Sequence, residues 1–503
     1  MKKVASTGNN MKLDRGSSIL EVLIALAILT FGISAATMLS FASQSVEVDI
    51  DTSHEALFKA QGMLEEARAQ SLEDFGQVNP ILPSVDDIYT KQLLVLETQC
   101  RKDVTSNITW DVSPLRPLTI ELNTILGDVA KALTLGGDCI IEPPEGDWDN
   151  PESYGISDPI HSGSQGTDVD VVKNLGRRLA IETTTKAGNQ DTIWIIDTTD
   201  ALSSFLVESY AIEDDPSDFN AVDATPDYAY VASASTTAQL AVIDISNPSN
   251  PTSVANRALP GVNPVGSDPG AISIFYQNSR VYIGTKRTAG PEFHIFDVTT
   301  PSSPTHLGSL ELNHNVHDIV VDGSYAYIAS SANECELIVI DVSNPGSMTN
   351  PCPTPPIPPN ATVFNAPGNF DGTAIYVLSN KVYLGRDRSQ SSHDFHIINS
   401  SNLTSMSSLG SIDLNINAGK EVVSIIVAGR LAFIATTDTT PANGGGPFMV
   451  FDINDPGNIT LVSTCPLNYS ESVTGMDFSD DLIFLSNESN DAFRILYPAP
   501  SCS

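Results

Sequence analysis

His314, His317 and Asp318 are neighbouring side chains of types that suit a metal or a polar ligand. Two histidines three apart share a metal only on a helix; on a strand they point to opposite faces. The stretch around them is strand-like, so a ligand role needs both faces to be useful. No metal or cofactor follows from this grouping. Of six cysteines, none are in Cys-x-x-Cys spacing, which reads as disulfides before metal ligands. Cys335 and Cys352 flank the turn near Pro345 and fall almost opposite each other across it, a geometry a disulfide can bridge. Cys465 with Cys502 would pin the C-terminal segment, leaving Cys100 with Cys139. Six cysteines allow fifteen pairings, so the last two pairs stay open. The sequence has no G-x-S-x-G, Walker loop or H-E-x-x-H. No catalytic residue is assigned, and the chain reads as a non-enzyme.

A different chemistry sits near the start. Glu21 interrupts an apolar run from Ser17 to about Phe41, behind a basic leader ending at Gly16. A carboxylate in such a run is costly and calls for a partner or a function. The formal charge of the chain is −36, and the leader alone carries +3, leaving −39 on the rest. A basic flank before an acidic body fits a cytoplasmic leader and an exported remainder. So acidic a surface disfavours nucleic acid by simple electrostatics.

The elements that position these residues follow from periodicity. Ser17 to Phe75 reads as one helix, apolar all round at first, then amphipathic with Leu57, Ala60, Leu64 and Ala67 on one side. At ~1.5 Å per residue it would be roughly 90 Å long. Residues 76–141 read as a small α+β region: strands at Leu93–Leu96 and Asn107–Val112, and a short helix within Leu118–Leu135. Residues 142–167, rich in Pro, Gly, Asp and Ser, read as a linker.

From Asp168 the chain repeats itself. An apolar strand ending in Asp or Asn recurs at Asp197, Asp244, Asp297, Asp341, Asn399 and Asp452, with a seventh, degenerate copy at Phe493–Tyr497. Periods of about 40–50 residues built of short strands mean propeller blades, here seven over 168–503. Each terminal Asp is expected to take backbone N–H groups in the turn that follows. The last unit lacks an outer strand, and a segment near Cys139-Ile140-Ile141 is expected to supply it.

Two resemblances follow. Gly16, Glu21 and Ile19-Leu20-Glu21-Val22-Leu23-Ile24-Ala25-Leu26 resemble a type IV prepilin, closest to the minor-pilin type called pilus modification protein. This implies a leader at 1–16, cleavage by a prepilin peptidase between Gly16 and Ser17, methylation of Ser17, and pairing of Glu21 with a neighbouring subunit's N-terminal amine. It implies residence in the cytoplasmic membrane through a single-pass helix (17–75), then in an extracellular filament. Ser17 stands where the family usually has Phe. The repeats resemble the LVIVD repeat, a propeller repeat of exported proteins. The fold class expected is a long helix with a small α+β region followed by an all-β, seven-bladed propeller. The function expected is a minor or tip pilin-like subunit displaying a head that binds an extracellular ligand or partner. Alternatives are a propeller enzyme (lyase, glycosidase or quinoprotein type) on the same N-terminal segment, and a pseudopilin of a secretion or DNA-uptake system.

Overall fold

The structure is a computed structural model. It describes residues 19–73, 75, 78–97, 101–113, 116–128, 144, 146–154, 164–174, 176–185, 192–211, 218–262, 270–352, 357–378, 380–388, 393–439, 446–463, 471–489 and 492–499. The chain divides into two compact units, Met1–Leu96 with Asp103–Leu126, and Glu97–Lys102 with Gly127–Ser503.

The first unit contains helix α1, Ile19–Glu73, and a four-stranded sheet in sequential order, Ile81–Asp86, Tyr89–Glu97, Arg101–Ser113 and Arg116–Gly127. Ala56, Ala60, Leu64 and Ala67 recur at spacings of four, four and three and are buried. They cluster with Tyr89, Leu93, Val104, Ile108 and Trp110. Small residues at these helical positions let the sheet approach closely, while Tyr89 OH donates to the Thr52 carbonyl at 3.1 Å. Lys59 and Lys91 both reach Asp86 at 2.9 Å, holding its carboxyl at about 2, mainly through their hydrogen bonds. Among the described residues no helix is long and apolar enough to cross a membrane. Gly16, Ser17 and the side chain of Glu21 lie outside the described residues.

The expected fold class needs correction. Among the described residues the fold is nearly all β, with eight four-stranded sheets, and the described part of the small region after α1 is a sheet. Where a helix was expected within Leu118–Leu135, Arg116–Gly127 is a strand. Leu118, Ile120 and Leu122 alternate onto the helix-facing side, a period of two that outweighs the coincidental helical spacing of the leucines.

In the second unit seven sheets form a closed ring. Their innermost strands are Gly166–Asn174, Phe219–Ala224, Ala271–Gln277, Val316–Asp322, Gly372–Leu378, Val422–Ala428 and Val473–Ser479, blades one to seven in that order. Each contacts the next, and blade seven contacts blade one. The third strands, such as Leu240–Asp244 and Leu337–Asp341, are buried at nearly every position, since both faces lie between neighbouring blades. The terminal Asp does what its type predicts. Asp197, Asp244, Asp297, Asp341, Asn399 and Asp452 each accept the N–H two residues on, at 2.8–3.0 Å.

Ring closure differs from the expectation. The outer strand of blade seven is Pro151–Ser153, paired antiparallel with Phe493–Pro498. Cys139–Ile141 lies outside the described residues. The stretch read as a linker is therefore partly structural. Trp148 is 1% exposed. Its ring meets Phe433 edge-on at 5.0 Å. Its Nε1 donates to Asp481 Oδ1 at 2.9 Å. An indole buried on one side and hydrogen-bonded on the other holds the incoming chain where three strand residues alone would not.

Candidate functional site: the blade-four cleft

The inner wall of the ring is a set of inter-blade stitches. At five of the seven junctions a side chain near the start of the inner strand donates to the first carbonyl of the next blade. Thr167 reaches Phe219 O at 2.6 Å, Asn220 reaches Ala271 O at 2.7 Å, and Ser273 reaches Val316 O at 2.9 Å. Thr373 reaches Val422 O at 2.6 Å, and Thr474 closes the circle on Gly166 O at 3.0 Å. Farther along, aspartates cap the N–H groups that an innermost strand would otherwise leave unpaired. Asp168 accepts from Val222 N, Asp170 from Ala224 N, Asp223 from Tyr276 N, Asp318 from Ile375 N and Asp477 from Val171 N, at 2.6–2.9 Å. Burial raises Asp168 to about 8 and Asp318 to about 7, outweighing the two backbone N–H bonds that pull each down. Asp223 is raised well above the ordinary range by burial and by Asp170. These polar groups face the channel, but their hydrogen bonds hold blade to blade.

The three residues singled out at the start separate accordingly. Asp318 is one of the stitches. His317 occupies the donor position at the junction of blades four and five; its Nε2 is buried without a hydrogen bond, 3.9 Å from Asp371 Oδ2. Burial lowers its pKa. His314 alone lines a cleft. His294 and His396, matched between repeats, each bond the carbonyl three residues back at 2.9 Å, so both serve their own blades.

The cleft, about 550 Å³, is where one blade departs from the pattern. In blades one, two, three, five and six the outer strand begins eight residues after the third strand ends. In blade four the interval from Asp341 to Val363 is twenty-two. The fourteen extra residues precede a two-residue outer strand, Val363–Phe364, and carry Asn350, Cys352 and Ile357 to the cleft. The Cys335–Cys352 disulfide, with Cα atoms 6.2 Å apart, fastens the inserted segment to the blade. Asn350 holds the same segment twice: its Nδ2 donates to Glu311 O at 3.1 Å and its Oδ1 accepts from Cys352 N at 2.8 Å. Cys465, Cys502, Cys100 and Cys139 lie outside the described residues.

The opposite wall comes from blade three and is organised by Glu292. This fully buried carboxylate accepts from Thr288 N at 3.1 Å, Leu312 N at 2.8 Å and Asn313 N at 2.9 Å. Burial nonetheless raises its pKa. It thereby fixes the loop bearing Arg287 and the corner bearing Asn313 and His314 against one another. Arg287 N is held in turn by Asn315 Oδ1 at 2.9 Å. Asn313 sits at φ 64°, a left-handed conformation that asparagine tolerates. Burial, then the Arg287 charge, lowers the pKa of His314 and keeps its ring neutral. Sequence reasoning found His314 but missed Arg287, Asn313 and Asn350. The available signal was the long interval between the Asp341 and Asn399 markers, which locates the insertion.

Residues 220–257 and 314–350 match the LVIVD repeat. The second unit is a β-propeller. Solved structures that resemble it include BamB from Moraxella catarrhalis (14% identity, TM-score 0.40, 71% of this chain and 96% of that one). Another is YCF48 bound to D1 peptide (11% identity, TM-score 0.44, 72% of this chain and 99% of that one). No curated protein matches the chain. The second LVIVD match contains His314, Ser331, the disulfide partner Cys335 and the first residues of the insertion, so the cleft is an elaboration of a recognisable repeat.

Proposed function

We propose that the chain is a non-enzymatic, exported binding protein, a minor or tip subunit of a type IV pilin-like filament whose propeller head engages an extracellular ligand or partner through the blade-four cleft. The observation that carries the binding reading is the insertion: fourteen residues added at one blade, stapled by a disulfide, and spent on the walls of a cleft. The test compares full-length protein with a variant whose residues 342–362 are replaced by the blade-three turn Val298–Pro304, by glycan array and cell adhesion. Asn333→Trp, on an exposed cleft wall, is the companion variant should the first not fold. Both are expected to lose binding; binding unchanged in a folded Asn333→Trp protein would overturn the reading.

The filament reading rests on Gly16 and Glu21. Surface protein is expected to begin at Ser17, and Gly16→Ala to block cleavage; an intact Met1, or a cut after Ala42, would exclude prepilin processing. Before assembly the segment resides in the cytoplasmic membrane, with other pilin subunits and the prepilin peptidase as partners. Glu21→Val removes the acid that a neighbouring subunit's Ser17 amine would pair with. It is expected to leave cleavage intact and sharply lower the ratio of sheared-filament to membrane protein.

A further inference from the structure

We propose that the cleft takes a small hydroxylated carboxylate of the sugar-acid class, its carboxylate placed on the Arg287 guanidinium. The inference rests on the reading of the cleft as the binding site and adds the chemistry of what enters it.

Three observations carry it. The first is the state of Arg287. Several other propeller arginines are used within the protein: Arg177 on Asp197, Arg178 on Asp480, Arg280 on Val342 O, Arg386 on Pro367 O and Phe370 O. Arg287 is exposed at the cleft, and among the described residues its guanidinium has no hydrogen-bond or ion-pair partner. Its backbone is nevertheless held by Asn315 and, through Thr288, by Glu292. A guanidinium with free N–H donors, carried on an anchored backbone, matches a carboxylate in a two-pronged geometry.

The second is the rest of the polar lining. Asn313 and Asn333 are exposed amides, each offering both donors and acceptors. The neutral imidazole of His314 offers one of each. Glu334, a carboxylate on the same lining, can only accept. Mixed donors and acceptors of this kind pair with hydroxyl groups, which are both at once. A purely anionic ligand such as phosphate would leave the amide oxygens and Glu334 facing like charge. The third is size. About 550 Å³ lies within the range of small-molecule sites, and Leu312 and Ile357 supply an apolar floor for a sugar ring. The charge of the whole chain opposes any anion, but at physiological salt screening acts over roughly 8 Å. A small anion beside Arg287 feels the local cation; a long polyanion would feel the acidic body.

The test is titration calorimetry on the full-length protein in detergent with three probes: D-galacturonate, D-galactose and acetate. Galacturonate shares its hydroxyls with galactose and its carboxylate with acetate. It is expected to bind at least about tenfold more tightly than either, and Arg287→Ala to weaken it roughly ten- to a hundredfold. Arg287→Lys is expected to recover part of that loss. Galactose binding as well as galacturonate, no binding of galacturonate, or an Arg287→Ala variant that binds galacturonate as wild type does would each overturn the proposal. If galacturonate does not bind while Asn333→Trp abolishes cell binding, the sugar-acid class falls and the cleft stands. If Asn333→Trp also leaves cell binding intact, both fall.

Discussion

At the scale of the residue, Asp168 shows how one side chain couples blades and pH. Its two oxygens accept from Val169 N at 2.9 Å and Val222 N at 2.9 Å, one bond within its blade and one to the next. Burial holds its pKa near 8 in the folded protein, against 3.8 as the ordinary value. A raised folded value means that the contribution to stability is complete below pH 4 and is lost as pH rises through 8; Asp318, near 7, behaves alike. His294 works in the opposite sense: burial lowers it from 6.5 to about 4, so its contribution is complete above 6.5 and lost towards 4. Between pH 6.5 and 8 these aspartates and Glu336, which burial raises to about 7, steepen the loss, and the melting temperature is expected to fall across that window. Asp168→Asn, which cannot ionise, is expected to flatten the fall; an unchanged slope by scanning calorimetry would remove Asp168 from the account. The sequence shows these aspartates but not their role. Asp168 meets Val222 N, and Asp318 meets Ile375 N, only once neighbouring blades have packed, and nothing in their local spacing says which N–H each will meet.

At the scale of the element, blade four is the place where a repeat gives up regularity. The LVIVD-type strand and its terminal Asp were legible because their chemistry is local: an apolar run, then an oxygen that caps a turn two residues on. The disulfide was legible for the same reason, since Cys335 and Cys352 are only 17 residues apart. Arg287 and Asn313 were not, because a buried carboxylate on a different strand, Glu292, brings their loops together. Replacing Cys335 and Cys352 with Ser is expected to cost about 2–4 kcal/mol in denaturant unfolding and to weaken ligand binding at the cleft, because the inserted segment loses its staple. A double variant with full binding would mean that Asn350 alone suffices to hold it. The same element shows a second constraint. A methyl group placed on Gly308, in the outer strand of blade three, would lie 2.1 Å from the Pro345 carbonyl in the turn of blade four. Gly308→Ala is expected to destabilise by more than the few tenths of a kcal/mol typical of surface changes, read as a lower denaturant midpoint. The same glycine recurs at Gly410 against Pro456, so inter-blade packing fixes an outer-strand position that a single repeat does not reveal.

At the scale of the whole molecule, seven copies of a strand pattern were enough to give a ring, and the seventh sheet shows where that reasoning stops. Pro151–Ser153 is three residues long and has no alternation to mark it as a strand. Its partner, Phe493–Pro498, is more than 300 residues away in sequence. Blade seven also meets blade one through polar contacts, Lys173 to Asp480 at 2.7 Å and Arg178 to Asp480 at 2.9 Å. Trp148→Ala removes a fully buried ring and one of the two hydrogen bonds to Asp481, and is expected to cost about 3–5 kcal/mol. The expected signature is specific: limited proteolysis between 142 and 166 should increase well before the other blades become susceptible. Uniform susceptibility across all blades would mean that the ring does not depend on this closure.

That closure also determines how the propeller carries load. Among the described residues, a pull on the chain ahead of Gly146 reaches the ring first through Gly146 N and Trp148 Nε1 on Asp481, then through Pro151–Ser153. Three paired positions, the backbone bonds of Tyr154 N to Ile495 O and Ala499 N to Asn150 O at 3.0 Å, and the Tyr154–Tyr497 stack at 4.1 Å hold the tether to blade seven. Once they part, the next bonded positions among the described residues are Gln165, which exchanges hydrogen bonds with Thr185, and the inner strand of blade one from Gly166. The twenty residues from Gly146 to Gly166 can pay out at most roughly 70 Å of chain. A single-molecule trace on full-length protein held at its N-terminal segment and at blade four is expected to show one small, low-force step of that length before any blade unfolds. With Trp148→Ala the step should move to still lower force. The disulfide-stapled cleft lies on the far side of that step, so a ligand held there would stay bound while the tether lengthens.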